Sequence, residues 1–269
     1  MSQTLKRVSL FMIAVAIAVG GYFTASIPQA SALTSLENVH GGDLFKGANN
    51  PAVYFMGADG FRYVFPNDKT YFSWYSNFNN IKVIADADLP KVQIGGNVTY
   101  KPGARMIKIQ SDPKTYAVAE GGVLRHVSSE AIAIALYGSD WNKKIDDVAD
   151  GFFGNYTIGD TITSAGQYVT TEVLAGTADI NDDKDLVAPK DIAVTEGGFS
   201  PIDVTIEEGQ GVRFTNNGTS NHNATSDNLT WGTGTLKPGS SKIIRFKEAG
   251  TYTFFDGLNP SSTGAVYVQ

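Results

Sequence analysis

The sequence predicts a mainly β chain, in which an α+β unit of hairpin plus short helix occurs twice and a β-sandwich follows. Three observations carry this. Short runs rich in Val, Ile, Tyr, Phe and Thr are punctuated by turn residues along most of the chain. A β-run, a glycine turn, a second β-run and a helix start follow one another near Tyr54 and again near Tyr116. From Ile192 onward, short strands alternate with Gly, Pro and Asn turns at regular spacing.

With 269 residues, 42% hydrophobic and 18% charged, the chain is long enough for two domains, each with its own core. The formal net charge is -6, and no Lys/Arg cluster breaks the acidic balance. Nucleic acid is excluded as the main partner, because phosphate binding needs clustered cations. There are no cysteines. That excludes disulfides, thiolate metal ligands, a cysteine nucleophile and a lipidated N-terminal cysteine together.

Residues 1–32 have the pattern of a signal peptide. Lys6 and Arg7 precede an apolar run from Val8 to Phe23, and Ala30-Ser31-Ala32 offers small residues for cleavage before Leu33. The alternative is an uncleaved anchor, for which the run is slightly short of a ~30 Å hydrocarbon core. On this reading the chain is exported, extracellular or in the envelope, and meets the membrane only through that segment if it is retained.

Residues 33–174 are expected to hold the tandem unit, with copies at about 43–103 and 104–162. In the first copy, Val53 to Met56 and Phe61 to Phe65 flank Asp59-Gly60, a hairpin signal because glycine takes the positive φ of a tight turn. Asn67 or Asp68 then caps a short helix through Tyr75. In the second copy, Thr115 to Val118 and Val123 to Val127 flank Glu120-Gly121-Gly122. Ser129 caps a helix through Tyr137, and Gly138 is placed to stop it. Tyr54 matches Tyr116, Arg62 matches Arg125, Tyr75 matches Tyr137, and Asn97 to Tyr100 match Asn155 to Ile158. This half resembles a tandem module of bacterial secreted and surface proteins, which implies location rather than activity.

Residues 175–191 are expected to be a linker. Asp179 to Asp185 has the density of a calcium loop, but Lys184 stands where such a loop needs glycine and Lys190 where it needs a bidentate Glu. A solvated charge run is the expectation.

Residues 192–269 are expected to form the sandwich, with strands at Ile192–Thr195, Asp203–Ile206, Gly211–Thr215, Ser241–Phe246, Thr251–Phe255 and Gly264–Val268. Phe199-Ser200-Pro201, Val212 to Asn216, His222 to Ser226, Leu236 to Gly239, and Gly250 to Phe254 with Pro260 and Thr263-Gly264 follow in an order that resembles a plastocyanin-type cupredoxin. The resemblance implies a Greek-key sandwich and, in the family, a copper centre of two His, one Cys and a weak axial Met. Position by position, His222 matches the first histidine. Asp256 stands where the cysteine should be, Asn259 where the second histidine should be, and Ser262 where the methionine should be. A hard carboxylate cannot replace the thiolate that gives a blue centre its electronic character. The expectation is therefore no cofactor, with Asp256 and Asn259 satisfying backbone amides in a structural loop. The alternative is a weak, altered site for Cu(II) or Zn(II) at His222 and Asp256.

The aromatic run from Tyr54 to Phe78 is expected to be mostly core, with Trp74 and Tyr75 as candidate contacts to a polysaccharide or other envelope component. His40 and His126 have no acid or nucleophile at a suggestive spacing, and no phosphate loop, nucleophile elbow or zinc helix occurs. The sequence thus points to a non-catalytic exported protein of binding or structural role.

Overall fold

The computed structural model describes residues 33–269, so the expected signal peptide lies outside the described residues. The first sheet is built from β1 (Leu44–Gly47), β2 (Tyr54–Met56) and β3 (Arg62–Val64), an antiparallel meander. Helix α1 (Asp68–Trp74) follows, then β4 (Ile81–Ile84) parallel to β1 and β5 (Ile94–Asn97) parallel to β3, giving the order β4-β1-β2-β3-β5. Asn67 caps α1, its side chain accepting from Thr70 N–H. The turn before β3 is wider than a two-residue hairpin. Gly57 N–H donates to Phe61 C=O, and Asp59 Oδ1 accepts from Phe61 N–H at 3.2 Å, with Gly60 at φ 80°.

The second sheet contains β6 (Met106–Lys108), β7 (Tyr116–Ala119), β8 (Val123–His126), β9 (Ile145–Asp147) and β10 (Thr157–Ile158), with α2 (Glu130–Tyr137) after β8 and α3 (Asp150–Phe153) before β10. Its order, β10-β8-β7-β6-β9, is the first sheet's connectivity written from the other edge. Ser129 caps α2 and Gly138 ends it at φ 89°, although its ψ of 179° is extended rather than left-handed helical.

Register corrects two of the sequence matches. Tyr54 opposes Val64 as Tyr116 opposes His126, and Met56 opposes Arg62 as Val118 opposes Leu124. Leu124, not Arg125, therefore holds the position of Arg62. Alternate residues of a strand point to opposite faces, so the one-residue slip matters. Ile158 lies beside Leu124 as Ile94 lies beside Arg62, so Asn97 and Asn155 do not correspond either. They meet instead: Asn97 Nδ2 donates to Asn155 Oδ1 at 3.0 Å.

The charge run at 175–191 is not a solvated linker. After α4 (Thr170–Gly176), Asp179 caps α5 (Ile180–Lys184) by accepting from the N–H groups of Asn181 and Asp182. Ile180 is fully buried in the first sheet's core, with Leu44, Phe55, Tyr63, Phe65 and Tyr71. Asp183 is buried too, accepting from the Thr99 hydroxyl and from Gly121 N–H, both at 3.1 Å. Asn181 Oδ1 accepts from Ala58 N–H. Asp179, Asn181 and Asp183 thus spend carboxylate and amide oxygens on backbone and hydroxyl donors.

The sandwich follows. One sheet holds β11 (Lys190–Thr195), β12 (Gly198–Ser200), β14 (Gly211–Asn216) and β16 (Ser241–Arg245), and the other holds β13 (Asp203–Ile206), β15 (Thr225–Ser226), β17 (Gly250–Asp256) and β18 (Asn259–Val268). Ile192, Val194, Phe214, Phe254 and Val266 are fully buried between them. Where the sequence predicts an irregular loop before Gly264, β18 begins at Asn259 opposite Asp256, and after a break in register its pairing with β17 resumes at Thr263 opposite Phe255. Residues 33–269 form one unit. Arg245 of β16 forms an ion pair with buried Asp59 and donates to the Tyr63 hydroxyl at 2.5 Å, and its guanidinium lies 4.3 Å from the centre of the Phe61 ring.

Candidate functional site

His222 lies between β14 and β15, where its N–H and C=O both bond Leu236. Asp256 ends β17, and Gly257-Leu258 turn the chain so that Asp256 sits opposite Asn259. These two elements bring His222 Nδ1 within 2.6 Å of Asp256 Oδ2. The histidine side chain is 5% exposed and the aspartate 0%. Asp256 Oδ1 accepts from Asn223 N–H at 3.1 Å and Leu258 N–H at 3.0 Å. With only donors around the carboxylate, the imidazole proton at this contact sits on Nδ1 and donates to Oδ2.

The other nitrogen, His222 Nε2, is buried with no hydrogen-bond partner, 3.9 Å from Glu196 Oε1. Glu196 comes from the turn between β11 and β12. Its Oε1 accepts from Thr219 N–H (2.8 Å), the Thr219 hydroxyl (2.8 Å) and Ser220 N–H (2.9 Å). Its own backbone N–H and these Thr219 and Ser220 donors hold its carboxyl down to about 2.

Of the four positions singled out in the sequence, the structure joins His222 and Asp256 directly. Asp256 satisfies backbone amides as expected. Asn259 does not: its carboxamide oxygen accepts from the Ser261 hydroxyl at 2.9 Å. Ser262 is buried, and its hydroxyl has no partner among the described residues. Glu196 and Gly218 escaped the sequence reading. Their only signal was a pair of ordinary turn motifs, Glu196-Gly197-Gly198 and Asn217-Gly218, far from His222 in sequence or without chemistry of their own.

A blue-copper centre does not fit these residues. The chain has no cysteine to supply the thiolate. The Nδ1–Oδ2 contact of 2.6 Å leaves no room for an ion between His222 and Asp256, and the remaining positions offer only an amide and a hydroxyl. Among the described residues, no group of three or more His, Cys, Asp or Glu is arranged to hold a metal ion.

Trp74 and Tyr75 are half-buried and pack on the first sheet's core. Trp74 Nε1–H donates to Thr99 C=O at 2.8 Å, and the Tyr75 ring lies 5.3 Å from that of Tyr71. The most exposed aromatic rings in this region are Phe72 and Phe78, with centroids 5.0 Å apart. His40 is exposed, and His126 lies on β8 beside Tyr116.

Residues 169–268 match the cupredoxin-like domain family. The match takes in α4 and α5 as well as the sandwich, and the C-terminal part of the chain is a cupredoxin-like domain. Similar solved structures include a purple cupredoxin from Nitrosopumilus maritimus, 24% identical over 30% of this chain and 99% of that one, with a TM-score of 0.28. A copper-containing nitrite reductase from Thermus scotoductus SA-01 is 21% identical over 30% of this chain and 22% of that one, with a TM-score of 0.29. An amicyanin variant in its Cu(I) state is 20% identical over 30% of this chain and 82% of that one, with a TM-score of 0.29. No curated protein matches the chain. Among the described residues, no helix is long and apolar enough to cross a membrane.

Proposed function

We propose that this is an exported, non-catalytic envelope or extracellular protein, in which the cupredoxin-like domain is a copper-free structural or binding module. The observation that carries the reading is the His222–Asp256 hydrogen bond. A buried, fully donor-satisfied carboxylate stands where electron transfer would require a thiolate. The shared connectivity of the first two sheets supports one supersecondary unit used twice, a common way to build an extended binding surface. Export rests on Lys6, Arg7, the apolar run to Phe23 and Ala30-Ser31-Ala32. The partner we infer is an envelope component or polysaccharide.

The test is expression of the full chain in a bacterial host, followed by fractionation, N-terminal sequencing and copper analysis of the protein as isolated. The expected result is a chain beginning at Leu33 outside the cytoplasm, with copper far below one per chain. Stoichiometric copper in the isolated protein, or an unprocessed cytoplasmic chain, would overturn it.

A further inference from the structure

The imidazole of His222 presents two different faces. Nδ1 is committed to Asp256, whose carboxylate is anchored by two backbone amides. Nε2 then carries a lone pair. It is buried and has no partner among the described residues, a costly state for a polar atom. It faces a second carboxylate, Glu196, fixed in place by the Thr219 and Ser220 donors. A carboxylate on one imidazole nitrogen, orienting the other toward an electrophile, is the arrangement that metal-binding histidines use.

The spacing fits that use. His222 Nε2 and Glu196 Oε1 are 3.9 Å apart, too far for a hydrogen bond. An ion bonded to both at about 2.0–2.2 Å spans roughly 3.4 Å at a tetrahedral angle, so binding draws the Glu196 carboxylate toward His222 by about half an ångström. The gap is kept open by a glycine: a Cβ on Gly218 would stand 2.9 Å from Glu196 Oε2 and 3.1 Å from His222 Nε2. Glu196 is half-exposed, so water can complete the coordination shell.

We propose that His222 Nε2 and the Glu196 carboxylate form a site for a divalent transition-metal ion of the Zn(II) class, on the side of the imidazole away from Asp256. This is not the position of the family's copper. It uses the other ring nitrogen and a residue from the β11–β12 turn. The ion would tie that turn to the segment carrying His222 without giving the domain a redox function, so the inference stands apart from the copper-free reading.

The experiment is calorimetric titration of the metal-stripped full chain with Zn(II). The expected result is one Zn(II) per chain at micromolar affinity. Glu196→Gln, an exposed and nearly isosteric change, weakens binding by about tenfold or more. Gly218→Ala, which fills the gap, weakens it similarly, and His126→Ala leaves it unchanged. No binding at millimolar Zn(II), or Glu196→Gln and Gly218→Ala both titrating like the parent, overturns the proposal. Neither result bears on export or on the absence of a thiolate copper centre, so the two readings fail separately.

Discussion

Gln93 grips the backbone of Ile243 from both sides: its Oε1 accepts from Ile243 N–H at 2.8 Å, and its Nε2 donates to Ile243 C=O at 3.1 Å. Ile243 lies on β16, the edge strand of its sheet, opposite Arg213 of β14. A side-chain amide thus occupies the positions where another strand would pair, which both blunts the edge and docks the sandwich on the first sheet. The Ile243 side chain completes the same joint by entering the first sheet's core.

That joint makes the Asp59–Arg245 pair consequential. Asp59 is buried, and Arg245 meets its carboxylate while stacking on Phe61. Arg245→Ala is expected to cost about 3–5 kcal/mol, because it leaves a buried carboxylate without its cation. Asp59→Asn combined with Arg245→Met is expected to cost less than the sum of the single changes. Urea midpoints for the four proteins check this, and strict additivity would refute the coupling.

The buried dyad predicts a sharp contrast between two neighbouring positions. Asp256→Ala strips three donors of their acceptor: His222 Nδ1–H and the N–H groups of Asn223 and Leu258. The expected loss is about 3–5 kcal/mol. Asn259→Ala removes only a bond from the exposed Ser261 hydroxyl and is expected to fall within about 0.5 kcal/mol of the parent. Equal effects in thermal unfolding would contradict the geometry.

The aromatic run yields a third test. Trp74→Ala deletes a half-buried ring and its bond to Thr99 C=O, so it is expected to destabilise by about 2–4 kcal/mol. Phe72→Ala, at a ring 48% exposed, is expected to cost under about 1 kcal/mol. If a polysaccharide partner binds this region, the exposed Phe72 and Phe78 can meet it as well as the half-buried Trp74 and Tyr75. Loss of binding in Trp74→Ala without loss of stability would establish Trp74 as a contact.

Local chemistry was legible in the sequence where it is local in fact. Asn67 and Ser129 cap helices because a cap needs only the next three residues, and the β-rich runs of the sandwich became strands for the same reason. The strands β1 and β6, and the edge strands β4 and β9 that pair with them, were not foreseen, since parallel pairing across a helix leaves no short-range mark. The run Asp179 to Asp185 misled because composition counts charges and cannot show that Ile180 and Asp183 face inward. At the candidate site, the replaced ligands could be placed by motif. That His222 and Asp256 bond each other, and that Glu196 faces the remaining nitrogen, required the fold.

Asp183 gives the protein a pH signature of unusual sign. Burial pushes its carboxyl up to about 6, against the lowering effects of Lys184, the Thr99 hydroxyl and Gly121 N–H, with Glu120 adding to the rise. Burial also lowers the neighbouring Lys184 ammonium. A carboxyl with a higher pKa in the folded chain than in the unfolded one, where it is near 3.8, holds its proton more tightly when folded. Its contribution to stability therefore grows as pH falls from above 6 toward 4, by at most about 3 kcal/mol. Asp43 and Glu196, whose carboxyls are lowered, act in the opposite sense, so the parent alone does not isolate the effect. The comparison is with Asp183→Asn, which keeps the shape and cannot titrate. Relative to the parent, this variant is expected to gain stability at pH 7.5 and to lose that advantage by pH 4.5. A parent-to-variant difference that stays constant across that range would show that Asp183 does not titrate there.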